Sequence, residues 1–344
     1  MSPSVGVVIP THNRSELLEI TLRNVLGSTG VDLHVIVMDD ASTDDTPGIL
    51  ASWAHRESRL RFLRFDQSVG ACRARNLGFR ELDTEYVCFV DADDLVHPEK
   101  FARQVTVLAA QPELDGTVCQ MAYFESNPND ATMLWNTFSG DTPRNRFLAH
   151  DPVWGMHAPL WRSASFRAWG GFDETLPMAQ DYEFHARILA MGATVRLVDE
   201  LLSFCRQHTG PSIGKSRQIA RTRTLYRVFQ KLQALAVEPG DHDRLGGNYL
   251  WLASMAAQQG EREVLRDCLL EASGTGMMRS AARRRFGLYC RLAALSGKYR
   301  FVRMAREVAS SQGVDLASRE AWYMKHRIAD EVGLVVLPMP ATSY

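Results

Sequence analysis

The chain has 344 residues, 45% hydrophobic and 23% charged, the proportions of a globular protein with room for one large α/β domain and a smaller one. Its 39 Lys and Arg against 40 Asp and Glu leave a formal net charge of −1. That balance gives no reason to expect nucleic acid or a generally anionic partner. No apolar run approaches the roughly 18 residues of a membrane span, and no basic segment precedes an apolar one near Met1, so neither a span nor a signal peptide is expected. Cys72, Cys88, Cys119, Cys205, Cys268 and Cys290 show no CxxC pair and no metal-ligand spacing. They read as free thiols, several of them buried, in a reducing, cytoplasmic setting.

The first hundred residues alternate strand and helix patterns. Val5-Gly6-Val7-Val8-Ile9 is a wholly apolar, β-branched run that stops at Pro10, as a buried parallel strand does. Leu17, Leu18, Leu22 and Leu26 fall at helical spacing in 15–26. A second strand over 33–38 ends in Asp39-Asp40, and Thr43 or Asp44 can cap a helix running to about 55. A strand at 61–65, a helix at 70–82 and a strand at 86–90 follow, the last ending in Asp91-Ala92-Asp93-Asp94. Pro98 suits the first turn of a helix reaching about 110. This order implies a doubly wound, mostly parallel sheet. Ligands bind such sheets beyond the carboxyl ends of the strands, where Pro10-Thr11-His12-Asn13, Asp39-Asp40 and the 91–94 carboxylates should share one rim.

Further on, a strand is expected at 117–124, a polar, mobile loop at 125–150, a helix from Asp181 to about 191 and a strand at 194–198. Residues 216–236, 244–259, 262–273, 278–296 and 299–312 read as amphipathic helices broken by Gly or Pro.

Asp44 and Asp45 look like helix-start chemistry. Asp91, Asp93 and Asp94 are different: three carboxylates in four residues repel one another unless a cation sits among them. Mg²⁺ or Mn²⁺ takes oxygen ligands, often one or two carboxylates plus phosphate oxygens, so the cluster suits a metal-bound diphosphate.

Five segments in order resemble the motifs of the inverting family 2 glycosyltransferases of the GT-A fold. They are Val8-Ile9-Pro10-Thr11-His12-Asn13-Arg14; Val37-Met38-Asp39-Asp40-Ala41-Ser42-Thr43-Asp44; Gly70 with Ala74-Arg75-Asn76-Leu77-Gly78; Phe89-Val90-Asp91-Ala92-Asp93-Asp94; and Gly170-Gly171-Phe172-Asp173-Glu174 followed by Gln180-Asp181-Tyr182-Glu183. The resemblance covers about residues 4–210. It implies a catalytic domain over 1–213, with a nucleotide-sugar half to about 115 and an acceptor half beyond, followed by an all-helical C-terminal region over 214–344.

The resemblance also implies roles. Asp40, with Asp39, would read the nucleotide base, and Pro10, Thr11 and Asn13 would line the same pocket. Arg75 would stand beside the nucleotide or, equally, pair with the acidic rim. Asp91 would face the ribose. Asp93, with Asp94 and His208, would hold Mn²⁺ or Mg²⁺. Asp181 matches the catalytic base, though Gln180 replaces the family's usual acid before it. Trp154, Gly171 and Gln180 fall in the acceptor pocket, although a core role for at least two of Trp154, Trp161 and Trp169 is the safer expectation. His12 and His157 read as loop or packing residues.

The expected partners are a nucleoside diphosphate sugar, with UDP favoured, and a saccharide, lipid-linked or small-molecule acceptor. The C-terminal helices leave open packing on the catalytic domain, a homodimer contact, or an anionic membrane surface met through Arg279, Arg283, Arg284 and Arg285. Two other classes compete. A sugar-nucleotide nucleotidyltransferase would carry a Gly-rich, basic loop where this chain has Pro10-Thr11-His12-Asn13. A catalytically silent nucleotide-sugar-binding scaffold is disfavoured by the intact Asp93 and Asp181.

Overall fold

In a computed structural model of the chain, residues 2–207, 218–275, 280–312, 326–331 and 333–340 are described. The expected alternation is present. Strands β1 (Ser4–Thr11), β2 (Asp32–Asp39), β3 (Leu60–Arg64) and β4 (Tyr86–Phe89) alternate with helices α1 (Ser15–Leu26), α2 (Thr46–Arg56) and α3 (Ala71–Arg80). A short strand β5 (Leu95–Val96) leads into α4 (Lys100–Ala110), and β6 (Gly116–Phe124) follows. Pro98 thus lies two residues before the helix it was expected to open.

β1 pairs in parallel with β2 on one side and β4 on the other. Successive side chains point to opposite faces. Val5, Val7 and Ile9 therefore pack with Leu18, Leu22 and Val25 of α1 and Phe101 and Val105 of α4. Val8 joins Ile36, Met38 and Phe89 on the other face, against Phe79 of α3. A strand buried on both faces needs no polar alternation, which is why β1 is apolar throughout.

The segment 125–150, expected to be a polar mobile loop, is instead ordered. It holds a 3₁₀ turn (Pro128–Asp130), β7 (Met133–Leu134) and α5 (Pro143–Leu148). Of its apolar side chains, Leu134, Phe147 and Leu148 are fully buried and Met133, Trp135 and Phe138 partly so. Its polar ones are consumed internally: Arg146 donates to Asp151, to the carbonyls of Thr137 and Ser139, and to the Asn136 side chain.

Two further differences come from the sheet. Pro159–Arg162 forms β8, which bridges β4 and β6 by antiparallel pairing, and Ser163–Ala168 forms α6. After α7 (Gln180–Ala190), the strand expected at 194–198 runs as β9 from Val195 to Arg206. Asp199 and Glu200 break its apolar pattern in sequence, but its pairing with β6 shifts register there, between Cys119 and Met121.

The C-terminal helices lie close to their expected bounds: α8 (Gln218–Gln233), α9 (Asp241–Gln259), α10 (Arg262–Gly274), α11 (Ser280–Ser296) and α12 (Tyr299–Ser310). They share one core with residues between β6 and α7. Met121, Phe147, Tyr182 and Leu189 pack with Phe229, Leu245, Tyr249, Phe286 and Val302. The end of the chain then returns to the sheet: β10 (Val335–Val336) pairs in parallel with β9, and Met339 packs against Leu95, Phe124 and Leu201. The sheet order is β10-β9-β6-β8-β4-β1-β2-β3, with β5 on β9 and β7 on β6.

A bidentate ion pair ties the helices to α5. Arg144 donates to Asp241 at 2.8 and 2.7 Å, and the Asp241 side chain is fully buried. Burial alone would raise the Asp241 pKa, but the bonds from Arg144 and from the Glu238 N–H hold it below the ordinary value. Removing one partner strands a buried charge, at about 3–5 kcal/mol. Arg144→Ala should therefore lower the thermal midpoint sharply in a calorimetric or circular-dichroism melt. An unchanged midpoint would show that the pair does not hold the two parts together.

Candidate active site

The β1–α1 and β2–α2 loops are bound to each other at the expected rim. Asn13, in left-handed conformation at φ 50°, accepts from the Thr43 N–H at 2.8 Å and the Asp44 N–H at 3.3 Å. Its own N–H donates to the Ser42 hydroxyl at 2.9 Å. His12 Nδ1 lies 2.6 Å from the Asp40 carbonyl. Desolvation acts to raise the Asp44 pKa, but hydrogen bonds that include the N–H groups of Ser15 and Thr46 together outweigh it and hold the pKa at about 2. This is the helix-start role read from the sequence.

The two acids ending β2 face the protein. Asp39 is fully buried, accepts from the Ser42 N–H at 3.0 Å and lies 3.5 Å from Arg64 Nε. Asp40 accepts from the Val69 N–H at 2.6 Å, the Ser68 hydroxyl at 2.7 Å and the Gly70 N–H at 3.1 Å. Asp40 thereby fixes the turn that opens α3. Thr11 is buried and Pro10 partly so.

The 91–94 carboxylates are divided by their partners. Asp91 pairs with Arg75 at 2.5 Å. Asp93 lies 4.0 Å from Arg14 Nε, with a partly exposed side chain. Asp94, expected as a metal ligand, is turned inward. One oxygen accepts the Arg206 N–H at 2.9 Å, and the other meets His157 Nδ1 at 3.0 Å. Arg206 also donates to the carbonyls of Asp93 and Glu125. Asp94 therefore anchors the end of β9 to the loop that presents Asp93. His157 is buried, and this pairing is the packing role expected of it.

Arg75 is only 4% exposed, yet its Nε and Nη1 have no acceptor among the described residues. The guanidinium also lies over the Phe172 ring, 5.7 Å from its centre. A buried, partly unsatisfied cation beside an acidic rim is a place where an anionic ligand group would complete the bonding.

Before α7, Gly170 and Gly171 both have positive φ, 77° and 74°, a conformation that favours glycine. A Cβ at Gly171 would lie 2.5 Å from Asn76 Oδ1. Asn76 clamps this turn: its Oδ1 accepts the Phe172 N–H at 2.9 Å, and its Nδ2 donates to the Phe172 carbonyl at 2.8 Å and to Glu174 at 3.0 Å. Arg187 of α7 grips the turn from the other side through the carbonyls of Trp169 and Gly171. Lys231 of α8 pairs with Asp173. Asn76, Arg187 and Lys231 were not singled out in sequence, although Asn76 stands inside a quoted motif.

Asp181 sits in the first turn of α7 after Gln180, with Ala179 in left-handed conformation before it. One of its oxygens accepts the Tyr182 N–H at 2.8 Å. Burial pushes its pKa above the ordinary carboxylate value, the Asp91 charge adds to the rise, and Arg75 opposes it. Trp154, expected in the acceptor pocket, lies instead in the core between Phe147 and His185, as does Trp161 against Phe184. His208 lies outside the described residues. A separate hollow of about 480 Å³ between α1 and α2 is lined by Glu19, Asp44, Asp45, Trp53 and Arg56 but by none of Asp91, Asp93 and Asp181.

Residues 6–164 match the family model described as Glycosyl transferase family 2. Glycosyltransferase GlyG of Streptococcus pneumoniae is 32% identical over 250 residues, which cover 67% of this chain and 80% of that protein. The chain spans 62% of the length of another curated relative. Among solved structures, residues 1–349 of Staphylococcus aureus TarS in complex with UDP-GlcNAc superpose with a TM-score of 0.65 at 15% identity, covering 88% of this chain and 92% of that one. The mannosyltransferase PcManGT of Pyrobaculum calidifontis, in complex with GDP-Man and Mn²⁺, gives 0.55 at 21% identity, covering 93% and 89%. Ordered motifs, sheet and sequence relatives agree: this chain is a GT-A-fold glycosyltransferase and belongs to glycosyltransferase family 2.

Proposed function

We propose that the chain transfers a sugar from a nucleoside diphosphate sugar, UDP-linked by preference, to an acceptor hydroxyl with inversion at the anomeric carbon. The observation that carries this reading is the pairing of Arg75 with Asp91 at the rim, the same guanidinium lying over Phe172 in the turn that leads to α7 and Asp181. A cationic group for the donor and a carboxylate for the acceptor would meet there. Asp181 would take the acceptor hydroxyl's proton as that oxygen attacks, a role for which a carboxylate of raised pKa is the better base. The nucleotide would lie along Pro10, Thr11 and Asn13, with Asp39 and Asp40 shaping the base pocket and Asp91 at the ribose. Gly171 and Gln180 would border the acceptor.

The donor set also suits a divalent ion. Among the described residues no three His, Cys, Asp or Glu side chains form a ready-made cage. Mg²⁺ or Mn²⁺ asks for less when a substrate diphosphate supplies the remaining oxygens. Asp93 would hold it, with His208 as a further donor. Asp94, committed to Arg206 and His157, would support Asp93 rather than bind the ion. The ion would neutralise charge on the departing nucleoside diphosphate. That PcManGT is described with GDP-Man and Mn²⁺ and TarS with UDP-GlcNAc supports this class of donor and metal.

The six cysteines, all free, fit a reducing, cytoplasmic setting. No helix among the described residues is long and apolar enough to cross a membrane.

Release of nucleoside diphosphate from a panel of UDP-, GDP- and dTDP-sugars, with Mn²⁺ or Mg²⁺ and a mixture of acceptors, tests the reading. Metal-dependent release from one donor is expected, and loss of metal response in Asp93→Asn. Absence of binding and turnover with every donor would sink it.

Asp181→Asn should lower turnover by about 10²–10⁴-fold, the range of general base catalysis, while nucleotide binding persists. Because the folded pKa of Asp181 stands above its unfolded value, ionisation opposes folding at neutral pH, and that cost disappears below the unfolded pKa. The Asn variant should therefore melt higher at pH 7 and gain nothing at low pH. The acid limb of the wild-type rate profile should also lie above an ordinary aspartate's 3.8.

Asn76→Ala frees the glycine turn that leads to α7. Its turnover should fall by more than its donor affinity does, as calorimetry with the nucleotide would show. An equal loss of both would assign Asn76 to donor binding alone.

A further inference from the structure

Helix α11 has one face in the core, formed by Phe286, Cys290 and Ala293. Its opposite face carries Arg284, Leu288, Arg291 and Leu295 at steps of four, three and four residues, which share one side of a helix; all four are exposed. Leu288 is 52% and Leu295 86% exposed. An ordinary amphipathic helix turns polar residues outward; this one turns out leucines interleaved with arginines. The helix, Ser280–Ser296, contains no Asp or Glu. Arg285, and Lys298, Tyr299 and Arg300 where α12 begins, extend the same composition and are exposed. Among the acids on the flanking elements, Asp267 pairs with Arg266, Glu261 with Arg223 and Glu307 with Arg303, Glu271 accepts from Gln233, and Glu263 is exposed.

We propose that this outward face of α11 docks on an anionic lipid bilayer, its leucines entering the headgroup boundary and its arginines meeting the lipid phosphates. Charge decides against a second copy of the chain as the occupant. A two-fold contact sets a patch against itself, and here that would oppose arginine to arginine with no carboxylate on the helix to intervene. Arginine stems lying along apolar surface with their charges at the headgroups match the Arg-Leu alternation, the composition of helices that lie in a membrane interface. Of the arginines first suspected of this contact, Arg284 and Arg285 lie on the exposed side, whereas the side chains of Arg279 and Arg283 lie outside what the structure describes. The proposal is independent of the donor and of the chemistry assigned to Asp181.

Co-sedimentation of the full chain with phosphatidylcholine vesicles, with and without phosphatidylglycerol, tests it. Binding to the anionic vesicles alone, weakened by salt, is expected. A basic side chain at such a surface is worth roughly fivefold in binding. Arg284→Ala/Arg291→Ala should accordingly lose on the order of 25-fold, and Leu288→Ser/Leu295→Ser should lose binding without a change in melting temperature. No binding to anionic vesicles at low salt would overturn the proposal, as would binding that both double variants retain. A wild-type dimer in sedimentation velocity that Leu288→Ser/Leu295→Ser dissociates would give the face to a second copy instead.

Discussion

The proposed site depends on two adjacent residues of α3 that tie the rim after β4 to the glycine turn before α7. Arg75 reaches Asp91 just beyond β4 and lies over Phe172. Asn76 holds the backbone of that same Phe172. Burying a guanidinium with donors unmet is costly, and the fold tolerates it only because the surrounding elements fix its place. Asp40 secures the start of α3 through three bonds to residues 68–70. Displacing the α3 N-terminus would therefore move the ion pair and the glycine turn together.

The acids on the rim are not equivalent, and sequence alone could not separate them. Asp91, Asp93 and Asp94 lie within four residues beyond one strand end and offer identical side-chain chemistry. Their fates are set by Arg75, 16 residues away, and by His157 and the Arg206 backbone, 63 and 112 residues away from Asp94. The strands and helices of the first hundred residues were legible because β-branched apolar runs and helical leucine spacing are local signals. Residues 125–150 were not, because their larger apolar residues come in short pieces, Met133-Leu134-Trp135, Phe138 and Phe147-Leu148, among Asn, Asp, Pro and Gly, and the bonds of Arg146 that order the segment are invisible in composition. Trp154 was ambiguous for a related reason. An aromatic ring suits a sugar face or a core equally well, and only its neighbours Phe147 and His185 decide.

The helical region reaches the catalytic side through α7. Tyr182, next to the proposed base, donates its hydroxyl to the Phe147 carbonyl at 2.9 Å and packs edge-on against Phe229 of α8. Ala186 and Leu189, one and two turns further along, lie in the core shared with α8 and α9. Lys231, two residues after Phe229, reaches Asp173 in the glycine turn. One face of α7 is therefore finished by the C-terminal helices, and its last turn is joined to the Trp169 and Gly171 backbone through Arg187. A base whose pKa is raised by burial needs both supports. Loosening the helical side would admit water around Asp181 and relax the desolvation that lifts its pKa. The acid limb of the rate would then move down towards that of an ordinary carboxylate even though no residue touching the substrate had changed. With Asp181 as the proposed base, the C-terminal helices would thus bear on the chemistry through solvent exclusion at the back of one short helix.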